Sequence, residues 1–299
     1  GTYAFTVSAF DAAGTYSAFH DYNMTVNAGG TGGTGGTAYG SIDFESGITS
    51  PWQGSQFFPT GTLQPQAVND PLNQKGRSLL LEADYASSLP TNYTSAANQQ
   101  TAISINPQYA HAGMDGNGNV ITTGMETWYS GWVMAPSGNV FANGETNWLT
   151  EWHDTTGGAG PKSSGMFAFG GYPLTSSGTS STKFLFRATV DVGGGNYQNR
   201  YFPGNYSDPN LSAPTAPSFT LGAWHRFVFH WIWSGGSNGQ VEWWLDGTKY
   251  ASYSGQTQAA NDYYSWAVYN YRPNVTGSSK LYYDNLVWGP TAGSIGFTP

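Results

Sequence analysis

The stretch that decides the fold is residues 224–233, which read WHRFVFHWIW. We interpret this stretch as one long β-strand. A Gly/Ser/Asn turn at 235–239 returns the chain into residues 240–245. The dipeptide Asp246-Gly247 then predicts a tight two-residue turn into residues 248–253. This stretch therefore predicts consecutive antiparallel strands.

The same pattern of short strands and Gly, Asn, Pro or Ser turns continues through residues 39–299. The chain contains 41 glycines, 20 tyrosines, 16 phenylalanines and 12 tryptophans, and only 9% of its residues are charged, as expected of an aromatic-rich β protein. No helical period of useful length is present. We therefore expect residues 39–299 to form an all-β domain, a two-sheet antiparallel β-jelly-roll sandwich.

The N-terminal part of the chain has a different organisation. Two alternating runs at 3–7 and 22–26 predict a pair of strands within residues 1–28. This segment resembles the last two strands of a bacterial immunoglobulin-like domain, so we interpret it as a remnant of such a module. Residues 29–38 are rich in Gly and Thr and are expected to form a flexible linker.

Composition restricts the possible functions. No cysteine is present, so neither disulfides nor thiol chemistry are available. The formal net charge of −8 argues against nucleic acid and anionic membranes as partners, and no apolar run is long enough to cross a bilayer. Low charge and abundant Ser, Thr, Asn and Gly favour a secreted bacterial protein, which we expect to act as a monomer.

The first candidate catalytic residues lie in residues 147–154, which read NWLTEWHD. Read as a strand, this stretch sends Leu149, Glu151 and His153 to one face. A carboxyl and an imidazole two residues apart on one face form a pair suited to proton transfer or to holding a polar substrate. The alternative is a structural histidine that is hydrogen-bonded inside the sandwich.

Three later stretches, residues 224–231, 241–247 and 281–285, resemble the strand order of heparin-lyase-like polysaccharide lyases. That superfamily is concanavalin-like in fold and includes the alginate and glucuronan lyases. Its Gln-x-His strand motif corresponds here to Glu151-Trp152-His153. Its Tyr-x-Lys-x-Gly-x-Tyr motif corresponds to residues 263–269, in which Tyr269 matches while serine and alanine replace the lysine and glycine.

The resemblance implies cleavage of a uronic-acid-containing glycan by β-elimination, with His153 and Tyr269 as acid and base. The proton beside the uronate carboxylate is acidic enough to be removed only when donors or cations neutralise that carboxylate. The candidate substrate-binding residues are Arg187, Arg200, Arg272, Gln99, Tyr271 and His230. For each of them the alternative is an ordinary structural or solvated position.

Glu151 does not fit the lyase pattern, because an ionised carboxylate in the neutraliser's place would repel the substrate unless it were protonated or paired. An alternative is therefore an endo-acting glycoside hydrolase that uses Glu151 with a second carboxylate from another strand, such as Glu126, Glu242 or Asp191. A non-catalytic glycan-binding domain that stacks sugars on exposed aromatic rings is the third possibility.

A structural metal is also predicted. Glu45 lies near the start of the β domain and Asp284 near its end. The first and last strands of jelly rolls commonly pair, so oxygen ligands from both could hold a structural Ca²⁺. The alternative is two solvated acids.

Overall fold

The computed structural model describes the backbone of residues 2–10, 16–25, 37–49, 52–54, 65–84, 100–105, 124–137, 146–154, 163–170, 184–193, 196–202, 220–257, 264–271 and 278–299. It describes the side chains of residues 37–49, 65–82, 124–137, 149–152, 220–257, 266–270 and 279–299. The chain divides into two compact units, residues 1–35 and 36–299.

The first unit contains an antiparallel pair of strands, β1 (Thr2–Phe10) and β2 (Tyr16–Thr25). Both alternating runs predicted from the sequence overlap these strands. The interpretation of the unit as an immunoglobulin-like remnant stays a prediction. The predicted linker at 29–38 lies outside the described residues, except for its last two positions.

The second unit is a sandwich of two antiparallel sheets. Its strands are β3 (Gly40–Ile42), β4 (Trp52–Gly54), β5 (Gln66–Asn69), β6 (Arg77–Asp84), β7 (Gln100–Ile105), β8 (Glu126–Met134), β9 (Thr146–Asp154), β10 (Ser163–Gly170), β11 (Phe184–Gly193), β12 (Asn196–Phe202), β13 (Trp224–Ile232), β14 (Gly239–Leu245), β15 (Thr248–Gly255), β16 (Tyr264–Tyr271) and β17 (Ser278–Gly289). The seven-stranded sheet has the order β12-β11-β10-β9-β16-β7-β4. The eight-stranded sheet has the order β15-β14-β13-β8-β17-β6-β5, with β3 also paired to β17. The predicted all-β jelly-roll sandwich is confirmed.

The predicted hairpin turn at Asp246-Gly247 joins β14 to β15. Leu245 pairs with Thr248, so the loop has two residues. The two loop residues both have positive φ, which is 49° for Asp246 and 80° for Gly247. Positive φ at both central positions is the geometry that matches the twist of a β-hairpin, and Asp-Gly is a preferred sequence for it.

An aromatic core fills the space between the two sheets. Trp152 of the seven-stranded sheet packs against Tyr129 and Phe229 of the eight-stranded sheet, with ring centroids 5.2 and 4.9 Å apart. Trp266 and Val268 of β16 belong to the same core cluster. Because side chains alternate along a strand, this packing fixes which residues of β9 and β16 point away from the core.

The first strand of the sandwich pairs with its last strand. Leu286 of β17 lies opposite Ile42 of β3, and Trp288 lies opposite Gly40. A Cβ atom at Gly40 would lie 2.4 Å from Cη2 of Trp288, so the indole can cover β3 only because position 40 is glycine. Within the described ranges, no helix is long and apolar enough to span a bilayer.

Candidate active site

The three predicted catalytic residues lie on two neighbouring strands of the seven-stranded sheet. Glu151 pairs with Ala267 of β16, and His153 pairs with Ser265. Trp152 and Trp266 point into the core, so alternation turns Glu151 and Tyr269 to the outer face of this sheet. The side chain of His153 lies outside the described residues.

The prediction that Leu149 shares a face with Glu151 is wrong. Leu149 is fully buried in the core cluster between the sheets. Successive residues of β10 pair with Thr150 and Trp148, which leaves Leu149 as an extra residue in β9. Such a β-bulge breaks the period-two alternation, so the pattern that places Glu151 correctly fails two residues earlier.

Glu151 and Tyr269 form a buried pair on the outer face of the sheet. Each residue is 2% exposed, and the side chains are hydrogen-bonded to each other. Burial raises the pKa of the Tyr269 phenol well above its usual value of 10, and the charge of Glu151 and the hydrogen bond to it raise that pKa further. Tyr269 is therefore a neutral donor at neutral pH, and the Glu151 carboxylate is its acceptor.

This pair can move a proton in a way that neither residue could alone. A phenol with a strongly raised pKa is a poor base while it holds its own proton. It can accept a proton from another group when it passes its own proton to the carboxylate at the same time. The Glu151 carboxylate is thus the group that can finally hold the proton.

A hydrogen-bonded core pair supports the strand segment beneath this site. The Trp266 indole N–H donates to Thr150 Oγ1 over 2.6 Å, and the Thr150 hydroxyl donates to the Ala267 carbonyl over 2.7 Å. Thr150 directly precedes Glu151 in β9, and Ala267 lies opposite Glu151 in β16. These two hydrogen bonds therefore fix the spacing of the two strands where Glu151 lies.

Arg187 lies in the same cross-strand row as Glu151. Glu151 is the register partner of Met166 on β10, and Met166 is the partner of Arg187 on β11. Two strand spacings separate Arg187 from Glu151, a distance of about 10 Å between backbones. Arg200 lies in a different row. It pairs with Ala188, which pairs with Gly165, and Gly165 pairs with the core-facing Trp152. The register therefore brings Arg187 and Glu151 together and does not bring Arg200 to them.

The remaining polar candidates on this sheet are only partly described. Tyr271 ends β16 and pairs with Gln100 on one side and Trp148 on the other. Gln99 and Arg272 lie outside the described residues.

His230 lies on the opposite sheet from Glu151 and Tyr269, so the structure does not bring this predicted substrate-binding residue to them. It lies on β13 of the eight-stranded sheet, stacked on the indole of Trp128 with ring centroids 4.1 Å apart. Its Nδ1 is 2.9 Å from Glu242 Oε2, and its Nε2 is 3.0 Å from Glu126 Oε1. Its neighbours on β13 at positions 229 and 231 point into the core, so His230 faces outward on the opposite side of the sandwich.

This placement also weakens the hydrolase alternative. Two of the three carboxylates proposed as partners for Glu151, Glu126 and Glu242, flank His230 instead. The thickness of the core separates them from Glu151, far beyond the 5–5.5 Å of a retaining pair. The third, Asp191, lies in β11 opposite Tyr197, and its side chain lies outside the described residues.

The predicted metal ligands lie near each other, and Asp284 has an unusual environment. Asp284 is fully buried, and its Oδ2 accepts a hydrogen bond from Asn285 over 2.5 Å. Among the described residues, its Oδ1 has no hydrogen-bond partner. Burial raises the pKa of Asp284 to about 7, Lys75 lowers it, and Glu45 and Asp43 raise it further.

A lone buried carboxylate oxygen beside two further acids suits a cation chemically. However, Ca²⁺ takes six to eight oxygen ligands. No group of three His, Cys, Asp or Glu side chains in the described part of the chain is close enough to hold a metal ion. Backbone carbonyls or water would have to complete the ligand set, so calcium stays a prediction.

An open cleft of about 360 Å³ lies on the outer face of the eight-stranded sheet, away from Glu151 and Tyr269. Arg226 lines this cleft together with Ser130 and Trp132. Its guanidinium donates to Ser130 Oγ over 3.1 Å and to the carbonyls of Ile295 and Gly296 over 3.1 and 3.2 Å. Arg226 therefore holds the C-terminal segment on the sheet.

The sequence reasoning missed Tyr283 and Asn270, two fully buried residues that hold the backbone around Tyr269. Tyr283 reaches the Tyr269 carbonyl from the opposite sheet. Asn270 binds backbone carbonyls of β6 and β17. Their only sequence signal is a polar group at a core-facing position, and this does not show which backbone group it contacts.

Comparisons with known proteins agree with this architecture. A family model described as polysaccharide lyase matches residues 44–287. The structure is similar to an endo-β-1,4-glucuronan lyase from the fungus Trichoderma reesei, with 16% identity, a TM-score of 0.60, and coverage of 87% of this chain and 98% of that one. It is more distantly similar to a variant of the alginate lyase Aly36B bound to an alginate trisaccharide, with 15% identity, a TM-score of 0.46, and coverage of 84% and 97%. A GH131 β-glucanase catalytic domain from Podospora anserina has 10% identity, a TM-score of 0.44, and coverage of 81% and 86%.

Among curated protein sequences, none matches the chain. The likeness to the glucuronan lyase lies below 25% identity and concerns the fold alone. The family model matches most of the chain, from two residues after β3 into β17. The chain therefore belongs to the polysaccharide lyase family, and it is an enzyme of that kind.

Proposed function

We propose that this polysaccharide lyase cleaves a uronic-acid-containing glycan by β-elimination, with His153, Tyr269 and Glu151 as the proton-transfer groups. The observation that carries the proposal is the buried hydrogen bond between Glu151 and Tyr269 on the outer face of the seven-stranded sheet. It gives Glu151 a role that an unpartnered carboxylate in a lyase site would not have.

The elimination needs a base, an acid and a neutralised carboxylate. In the proposed step, the Tyr269 oxygen takes the proton from C5 of the uronate while the Tyr269 hydroxyl proton passes to Glu151. The electrons of the C5–H bond form the C4–C5 double bond, and the C4–O bond breaks with its electrons leaving on oxygen. Protonated His153 gives its proton to that oxygen. Solvent then returns the proton from Glu151 to His153, so the cycle closes without a cofactor.

The raised pKa of Tyr269 supports this arrangement. A tyrosine that had to be ionised before it acted would be almost inactive at neutral pH, because burial and the neighbouring Glu151 raise the pKa of Tyr269 well above 10. A tyrosine that exchanges protons with that carboxylate needs no prior ionisation. Because Tyr269 is only 2% exposed, the side chains that cover it must move aside when a glycan binds.

Arg187 is the proposed neutraliser of the substrate carboxylate. It shares a cross-strand row with Glu151, two strands away. A guanidinium binds a carboxylate through two parallel hydrogen bonds, and it stays charged throughout catalysis. A uronate placed between the two residues would direct its carboxylate to Arg187 and its C5 proton to Tyr269.

The proposal extends to the setting of the enzyme. The low charge content and the abundance of small polar residues support a protein that is secreted by a bacterium and acts on its glycan as a monomer. The acidic net charge supports neither nucleic acid nor an anionic membrane as a partner.

The test is to incubate the protein with a panel of polyuronates and neutral glucans and to follow both reducing ends and the ultraviolet absorbance of an unsaturated uronate. The proposal expects both signals with at least one polyuronate and neither signal with the neutral glucans. Reducing ends without the absorbance would overturn it in favour of hydrolysis. Binding without either signal would overturn it in favour of a glycan-binding domain.

Two variants assign the residues. Tyr269→Phe keeps the ring and removes the hydroxyl, so turnover should fall by at least a thousandfold while substrate binding is retained. Tyr282→Phe is the matched control, because it removes a phenol hydroxyl from the eight-stranded sheet and should leave turnover unchanged. Full activity of Tyr269→Phe would contradict the assignment.

A further inference from the structure

The strand that carries Tyr269 is irregular at the catalytic position. On β16, Val268 pairs with Thr150, and the next recorded pair with β9 is Tyr271 with Trp148. Three steps along β16 therefore match two steps along β9. Tyr269 lies within this irregular segment, where the ladder with β9 is interrupted. On the other side of β16 the ladder with β7 is regular, and Tyr269 pairs with Ala102. The position of Tyr269 relative to Glu151 on β9 is therefore not set by direct pairing of these two strands.

A phenol from the opposite sheet holds this segment. Tyr283 lies on β17 and is fully buried in the core cluster. Its hydroxyl oxygen lies 2.5 Å from the Tyr269 carbonyl oxygen and 2.9 Å from the Leu149 carbonyl oxygen. The single hydroxyl proton is shared between these two acceptors, one on each side of the irregular pairing. The phenol thus ties the two strands together where their own ladder is interrupted.

A second anchor acts on the next residue. The Asn270 amide, also fully buried, donates to the carbonyls of Leu81 and Ser279 over 2.9 and 3.0 Å. The Ser279 hydroxyl donates back to Asn270 Oδ1 over 3.0 Å. Positions 269 and 270 are therefore both attached to the eight-stranded sheet by hydrogen bonds that cross the core.

We propose that Tyr283 is a positioning residue for catalysis, which holds the β16 backbone so that the Tyr269 hydroxyl meets Glu151 and the substrate. This inference rests on the proposed function, because it matters for activity only if Tyr269 acts in the reaction. Tyr283 itself lies on the core side of the sheet and does not reach the outer face. Its effect on turnover passes through the backbone of Tyr269.

The test is Tyr283→Phe, which keeps the ring and removes only the hydroxyl. Without that donor the irregular segment can shift, and a displacement of about 1 Å at a reacting group can cost on the order of a hundredfold in rate. We expect kcat to fall between about tenfold and a hundredfold while KM changes less than about twofold. Tyr282→Phe is the matched control, because Tyr282 is the neighbour of Tyr283 on β17 and is not part of the core cluster that contains Tyr283. Its kcat should stay within about threefold of the wild type.

A double variant separates a positioning role from general loosening of the core. In the Tyr269→Phe background, Tyr283→Phe should lower the residual turnover no further, because the group that it positions is already absent. Equal losses of kcat in Tyr283→Phe and Tyr282→Phe would overturn the inference. A full additional loss in the double variant would overturn it too.

Two further results distinguish a failure of the proposed function from a failure of the positioning role of Tyr283. If Tyr269→Phe is fully active, the proposed function fails, whatever Tyr283→Phe does. If Tyr269→Phe is inactive and Tyr283→Phe matches the wild type, only the positioning role fails. Should Tyr283→Phe not fold, Ser279→Ala tests the second anchor. It is expected to lower kcat severalfold at constant KM, and an unchanged kcat would count against positioning from the core.

Discussion

Replacing Asp284 with asparagine should stabilise the protein above neutral pH and change its stability little near pH 4. Asp284 is fully buried, one of its carboxylate oxygens has no partner among the described residues, and burial raises its pKa to about 7. Asparagine has nearly the same shape and carries no charge. Its side-chain oxygen can still accept the hydrogen bond from Asn285.

The sign of the effect follows from proton binding. The carboxyl group has a pKa of about 7 in the folded protein and an ordinary value of 3.8 in the unfolded chain. Between these values the folded state binds more protons, so the stability associated with this group is lost as pH rises from about 4 through 7. A difference of about three pKa units corresponds to about 4 kcal/mol at pH 8, and to less than about 2 kcal/mol at pH 5.

The assay is urea unfolding of wild type and Asp284→Asn at pH 5 and pH 8, with a chelator present. We expect the variant to be more stable by up to about 4 kcal/mol at pH 8, and the gain to shrink at pH 5. Lys75 limits the gain, because it loses an attractive carboxylate, although it keeps Asp70 nearby. A difference between the proteins that is the same at both pH values would refute the reasoning, because it would show that Asp284 does not titrate in this range.

Three further predictions concern the metal, the catalytic pair and the domain boundary. If Glu45 and Asp284 bind Ca²⁺, the ion should raise the melting temperature of the wild type and chelation should lower it. The melting temperature of Asp284→Asn should respond to neither. Identical melting curves of the wild type with and without chelator would argue against the site. Glu151→Gln should lower turnover by at least a hundredfold, because an amide cannot take the Tyr269 proton, and a fully active variant would remove Glu151 from the reaction. A protein that starts at Tyr39 should melt within a few degrees of the full chain by calorimetry, and a much lower melting temperature would show that residues 1–28 contribute to the core.

The elements that local patterns determine could be predicted from the sequence. The strand at 224–233, the turn at 235–239 and the Asp246-Gly247 turn predict the β13–β14–β15 meander, because these signals are local. The motif resemblance selects Glu151, His153 and Tyr269, and the structure places these residues on two neighbouring strands. In each of these cases the sequence signal lies within a few consecutive residues.

The rest depends on contacts that local patterns do not encode. Leu149 was misplaced because one extra residue in β9 reverses the alternation, and no composition signal marks that bulge. The sequence does not show that His230 lies on the opposite sheet from Glu151, because alternation shows which residues share a face but not which sheet that face belongs to. Tyr283 was missed because its hydroxyl binds backbone carbonyls of the opposite sheet, and backbone carbonyls are the same at every position of a sequence.

The pairing of β3 with β17 has a consequence for how the chain is made. β17 is an interior strand of its sheet, between β8 and β6, and it also receives β3. The sheet therefore cannot close until residue 289 has left the ribosome, when positions 42 and 286 first come together. Folding that waits for such distant partners is slow. The eight-stranded sheet is therefore completed only after its last strand has been synthesised, so the strands made earlier wait for β17 before they can take their final places.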